Sequence, residues 1–149
     1  MSMDREEVGL LLDSAERWFK ANNPIESRVA MFRNGHHEDA DAWTAISEMG
    51  WLALPLSEDA GGFDAGYAAS LALIRRAGQQ ARPEALDMYM MLAPVVARAL
   101  PDVSAALMEG RMRLGFADLA QGKEALVAHA GDQPVLEGIA GPVLGAEFA

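Results

Sequence analysis

The sequence has no cysteine, and that absence removes disulfides, thiol nucleophiles and cysteine-based metal sites together. Positive charge is scarce: twelve Lys and Arg stand against 22 Asp and Glu, a formal charge of −10 at pH 7. Nucleic acid and anionic membrane surfaces are bound mainly through clustered basic side chains. The nearest approach to such a cluster is Arg111 with Arg113, which is too small, so both partners are set aside. Long apolar runs are missing too, with nothing near the ~20 uninterrupted residues of a spanning helix. The opening, MSMDREEVGL, is acidic and amphipathic, unlike a secretory leader. A cytoplasmic location is the expectation.

What the chain does have is apolar residue in quantity. At 51% hydrophobic over 149 residues, it supports one domain with a real core. Asp4 with Glu7 predicts a capped helix start, and Val8, Leu11, Leu12, Ala15 and Phe19 then recur at helical spacing until ANNP, 21–24. PIESRVAMFRNGHHE, 24–38, reads as a connection, partly helical at most. A second helix is predicted from Glu38 to Met49, with Ala42, Trp43, Ile46 and Met49 on one side and Gly50 as its left-handed end. Trp51–Leu56 is short and contains Pro55, so it reads as a buried, extended connection. Asp64 is the expected cap of a third helix, with Tyr67, Leu71, Ile74 and Gly78 on one face. Pro83 is placed to open a fourth, which Pro94 should kink or divide. PDVSAALMEG, 101–110, makes a short fifth helix closed by Gly110.

After Gly110 the period changes. RMRLGFA, 111–117, alternates, and ALVAH and PVLEGIA follow as short strand candidates. The organisation expected is therefore a helical domain over 1–110 and, over 111–149, an incomplete β region of perhaps three strands, since so few open-edged strands make a poor domain alone. The fold class is mainly α.

Candidate chemistry is sparse. Gly61 and Gly62 precede a helix start and suggest a phosphate cradle, but Glu58, Asp59 and Asp64 surround them with negative charge. No GxGxxG and no Gly-Lys-Ser/Thr is present. A sharp turn using glycine's conformational freedom is the better reading. His36 and His37 lack a third ligand at zinc spacing, and His129 lacks a recognisable Ser or Asp partner; no metal and no catalytic residue is assigned. Met88, Met91 and Leu92 occupy adjoining helical positions. Flexible methionine suits either irregular core space or a long apolar ligand, and both readings stand.

The order of these pieces resembles the acyl-CoA dehydrogenase family. The fullest stretch is WTAISEMGWLALPLSEDAGGFDAGYAASLALIRRAGQQARP, 43–83, where Gly50-Trp51, Ser57-Glu58-Asp59, Gly61-Gly62 and LIRRAG take the places of the family's Gly-Trp, PEEYGG-like turn and EELGR-like helix. ALMEGRMRLGFADLA, 106–120, is similar to the family's passage into its central β domain, and VLEGIAGPVLGAEFA, 135–149, to a segment inside it. The resemblance implies a helical domain, a central β domain and a C-terminal four-helix bundle, with FAD between the last two. It implies α,β-dehydrogenation of an acyl-CoA thioester, fatty or steroid, with a glutamate base and the flavin as hydride acceptor. Met88, Met91 and Leu92 would line the acyl site.

Departures from the family pattern shape the expectation further. The bundle that carries the base has no counterpart in these residues. The flavin-contacting Thr-Glu-Pro falls at Leu119-Ala120-Gln121, so of the cofactor positions Leu119 and Ala120 carry neither hydroxyl nor carboxylate. Ala140 and Gly141 replace a basic residue. The isolated chain is expected to be inactive and not to hold FAD tightly. The alternative is a non-catalytic helical partner of an acyl-CoA dehydrogenase-like chain, with a homo-oligomer as the other form of association.

Overall fold

The computed structural model describes residues 3–22, 24–35, 39–82 and 84–117, and the strand residues 127–129, 135–137 and 143–144. The first helix, α1 (Arg5–Ala21), starts as its sequence predicts. The Asp4 carboxylate accepts from the Glu6 and Glu7 amides at 2.8 and 2.9 Å, and the Asp4 amide donates to Glu7 Oε2 at 2.8 Å. Both ends of this reciprocal cap satisfy amides that a helix start otherwise leaves open. Ala15 and Phe19 are buried, with Val8, Leu11 and Trp18 packed partly against the same core.

The connection after α1 forms a second helix, α2 (Ile25–Arg33), which buries no residue. It is tied down where Arg28 Nη1 donates to the Gln80 and Ala81 carbonyls at 2.8 and 3.2 Å. Helix α3 (Ala40–Glu48) is capped by Asp39 and buries Ala42, Trp43 and Ile46, as predicted. Its start lies two residues later than the expected Glu38, which falls outside the described residues along with His36 and His37. Gly50 ends it at φ +74°, the left-handed conformation expected there.

Trp51–Leu56 corrects the expectation of extended chain. Trp51–Ala53 is one 3-10 turn, continued by Leu54 in helical conformation. Trp51, Leu52, Ala53 and Leu54 are all buried in succession. An extended segment sends alternate side chains to opposite faces; a tight turn can place four consecutive ones inside.

Helix α4 (Gly66–Gln79) carries two further corrections. Asp64 is not its cap: its φ is +44°, and Ala65 fills the cap position without a side-chain bond. The Asp64 and Ala65 amides are committed backwards, to the Leu56 and Leu54 carbonyls at 2.8 and 3.0 Å, and the left-handed backbone at Asp64 keeps the helix from beginning there. The buried face is Ala69, Ser70, Leu73 and Ala77 rather than Tyr67 and Leu71, which are 72% and 58% exposed. Because α4 packs on both α1 and α5 (Leu86–Ala99), the small Ala69, Ser70 and Ala77 turn inward beside Leu73, and Tyr67 and Leu71 are left outside.

Pro94 lies inside a single continuous α5; it removes only the amide that would have bonded the Met90 carbonyl. Pro83, the expected opener, lies outside the described residues. A 3-10 turn, Pro101–Val103, leads into α6 (Ser104–Met108), and Gly110 follows at φ +69°. Strand structure begins only at β1 (Phe116–Ala117). Met112 and Leu114 lie partly buried against the helical core instead of alternating in a sheet, which shortens the strand read from 111–117. β1 pairs antiparallel with β4 (Val143–Leu144), and β2 (Val127–His129) with β3 (Val135–Glu137), so four short strands lie among the described residues where about three were expected.

The core centres on three mutually edge-on rings, Trp18, Phe19 and Trp51, with centroids 5.4 to 5.6 Å apart. Beside it lies a buried ion pair. Arg82 Nε and Nη2 meet the two Glu84 oxygens at 2.7 and 2.5 Å, and their side chains are 3% and 0% exposed. Glu84→Ala would leave the guanidinium buried and uncompensated, an expected loss of about 3–5 kcal/mol in urea unfolding. Replacing both partners, as Arg82→Met with Glu84→Leu, is expected to recover most of that loss; a double variant no more stable than the single one would contradict the ion-pair explanation.

Candidate functional site

Two places on the helical part bear on function: the glycine turn and helix α5. The turn runs from Ser57 to Ala65. Its amides are used internally: Ala60 and Gly62 bond the Ser57 carbonyl at 3.0 and 2.9 Å, Gly61 bonds Glu58 at 2.9 Å, and Phe63 bonds Ala53 at 3.0 Å. Together with the Asp64 and Ala65 bonds above, they commit the six successive amides from Ala60 to Ala65, so the glycines offer no fan of free N–H groups to an anion. Gly61 takes φ +85°, and Gly62 is forced by space, since a Cβ there would lie 2.3 Å from the Leu56 carbonyl oxygen. The double glycine is therefore a turn, and with the amides of 60–65 already bonded the glycines do not form a cradle for the pyrophosphate of FAD.

An open cleft of about 500 Å³ lies against this turn. The start of α4, at Tyr67 and Ser70, faces the later half of α5, at Pro94 and Arg98, with Asp59 and Asp64 on the turn side. Carboxylates opposite a single guanidinium give mixed charge without a nucleophile and base in contact. Ser70 Oγ donates to the Gly66 carbonyl of its own helix at 3.4 Å, a local bond within α4. Among the described residues, no three His, Cys, Asp or Glu gather as metal ligands, and no helix is long and apolar enough to cross a membrane.

Helix α5 owes its orientation to Leu86, Tyr89, Met90, Ala93 and Ala97, which are buried at helical spacing. The Tyr89 hydroxyl donates to the Leu52 carbonyl at 3.1 Å. This leaves the Met88, Met91 and Leu92 side of the helix turned from the core. Met88 and Leu92 are half-buried, and Met91 is 60% exposed. None of the three lines the cleft, which meets α5 only from Pro94 onward. The methionine that fills core space is Met90, a residue the sequence reading passed over; its i−4, i+3 and i+7 relation to Leu86, Ala93 and Ala97 was the available signal. Val95, 63% exposed, extends the open apolar side. Leu119 and Ala120 lie outside the described residues.

Compared with known families, residues 5–106 match the model of the acyl-CoA dehydrogenase N-terminal domain. None of the curated proteins and none of the solved structures matches the chain.

Burial holds the Tyr89 hydroxyl well above its usual range, because the charged phenolate is poorly solvated there. A raised folded-state pKa contributes stability that is complete below the unfolded value of about 10 and is lost as pH climbs beyond it. Tyr89→Phe is expected to cost about 1 kcal/mol near neutrality, where the Leu52 carbonyl loses its partner, and to flatten the alkaline loss; urea midpoints at about pH 7 and about pH 11 test both. In the turn, Gly62→Ala should destabilise by about 2–4 kcal/mol through backbone displacement. Gly78→Ala, with open space around it, should stabilise α4 by about 0.5–1 kcal/mol; equal effects at the two positions would contradict the steric argument.

Proposed function

The chain belongs to the acyl-CoA dehydrogenase family through its N-terminal domain, and from that we propose that it contributes the helical side of an acyl-CoA thioester site in a flavoprotein oxidoreductase. The reading rests on the family match over 5–106 and on the open apolar side of α5, where Met88, Met91 and Leu92 supply a wall of adaptable methionine and leucine. Residues 1–110 are the helical domain, and 111–149 open the β domain. A flavin bound in such an assembly would supply the hydride-accepting chemistry; this chain's part is to bind and orient the acyl chain and exclude water along α5.

The 149-residue chain alone neither turns over substrate nor retains FAD on this reading. Leu119, Ala120 and Gln121 offer no hydroxyl and no carboxylate where the family pattern has Thr-Glu-Pro. The same substitution favours a second reading, a non-catalytic subunit that pairs with an acyl-CoA dehydrogenase-like chain. Mixing with such a partner separates the two: a joint species in size-exclusion chromatography supports the second reading, and two independent species oppose it.

The thioester site is tested by thermal unfolding with a series of saturated acyl-CoA thioesters. A ligand at about a hundredfold its dissociation constant should stabilise the fold by roughly 2–3 kcal/mol, with the effect growing with acyl length. Met91→Glu, at an exposed position, should abolish the dependence on acyl length without unfolding the protein. Equal stabilisation by coenzyme A alone would sink the acyl reading, and dehydrogenation by the purified chain would sink its inactivity.

A further inference from the structure

Between α5 and the first strand stands one side chain, Trp43. It is 4% exposed on α3 and makes contacts in two directions. Toward α5, its ring lies edge-on to Tyr89, with centroids 5.6 Å apart and planes at 78°. Toward the β region, its Nε1–H donates to the Gly110 carbonyl at 3.0 Å. The Arg113 guanidinium carbon sits 3.8 Å from the ring centroid, within cation–π range. Gly110 is matched to this contact: it holds φ +69°, and a Cβ would lie 2.8 Å from Trp43 Nε1.

The segment held in this way has neither helix nor strand of its own. Residues 111–115 are irregular, and β1 starts immediately afterwards at Phe116. It is also attached through the Arg111 and Met112 amides on the Ala106 carbonyl at 2.9 and 3.2 Å, an Arg111–Glu109 ion pair at 2.5 Å, and partial burial of Met112 and Leu114. Those bonds fix the first step after α6 but not the direction taken beyond Met112. The Trp43–Arg113 stack lies beyond that point and joins the exit to a ring that also touches α5.

We propose that Trp43, with Arg113 stacked on it, is a positioning residue that fixes the start of the β region relative to α5. The proposal rests on the reading of α5 as the acyl wall for its functional meaning: the joint would set how far that wall stands from whatever the β region carries. Its physical content is independent of that reading. Trp43 touches no substrate on this account; it acts through the backbone at 110–116.

The test is amide hydrogen exchange on the whole chain without any thioester, for wild type, Arg113→Ala, Trp43→Phe and the double variant. Each single variant should speed exchange at 111–116 by about tenfold or more while α1 and α4 keep their protection. The double variant should add little to the larger single effect, since both changes break one contact. Arg113→Ala should also shift the Trp43 indole proton resonance and leave those of Trp18 and Trp51 in place. Unchanged exchange at 111–116, additive effects in the double variant, or equal loosening of α1 and α4 would each overturn the proposal. Arg113 is only half-buried, so its variant keeps the core and the test stands even where Trp43→Phe folds poorly. A chain that fails to bind acyl-CoA leaves this result untouched, and an intact thioester response leaves its failure equally readable.

Discussion

The Arg82–Glu84 ion pair is the constraint through which the helical part closes. Arg82 lies in the link between α4 and α5, and its Nη1 reaches back to the Asn22 carbonyl at 3.1 Å, where α1 ends. Its guanidinium carbon also stands 5.2 Å from the Trp18 ring. One side chain thus joins the end of α1, the aromatic centre and the start of α5, while Glu84 neutralises it in a place from which water is excluded. A buried pair of this kind need not add stability over an apolar pair of equal volume; what it adds here is a fixed geometry. Outside the core, Glu16 on α1 bonds Lys20 and Arg76, and its carboxyl is held below the usual range by these partners, Lys20 first. That group is solvated, so its ion pairs only reinforce a contact the core already determines.

From this closure the arrangement of the glycine turn and of α5 follows. Because α4 sits between α1 and α5, its inner face is mostly small, Ala69, Ser70 and Ala77 around Leu73, while Tyr67 and Leu71 stand outside. Because Tyr89 and Met90 are drawn into the core, the methionine side of α5 is turned away from it. The glycine turn, for its part, consumes its own amides to return the chain beneath Leu54 and Leu56. Its contribution to any site is shape, with no charge recognition by the backbone.

How much of this could be read in advance depends on whether the cause was local. The Asp4–Glu7 cap, the Ala42, Trp43 and Ile46 side of α3 and the left-handed Gly50 are set by neighbours within four residues, and they were legible. The inward face of α4 was not, because hydrophobicity ranks Tyr67 and Leu71 above Ala69 and Ala77 while the space between two helices ranks them the other way. Asp64 looked like a cap on residue type alone; distant carbonyls at 54 and 56 had already claimed the backbone there. The site was legible only to the level of family and helix. Spacing placed Met88, Met91 and Leu92 on one side of α5 but could not say that this side faces away from the core, a fact decided by Leu52 and Trp43 elsewhere in the chain.

Helix α2 carries a different kind of consequence. At nine residues it is shorter than helices that persist alone in water, and Ile25, Val29 and Phe32 stand on it more than a third exposed. It survives as a dependent of the α4 end, through the grip of Arg28 on two carbonyls. Its stability is therefore subordinate to that of the rest: the element depends for its tertiary support on the end of α4, and loss of the Arg28 contacts would remove that support before it touched the core.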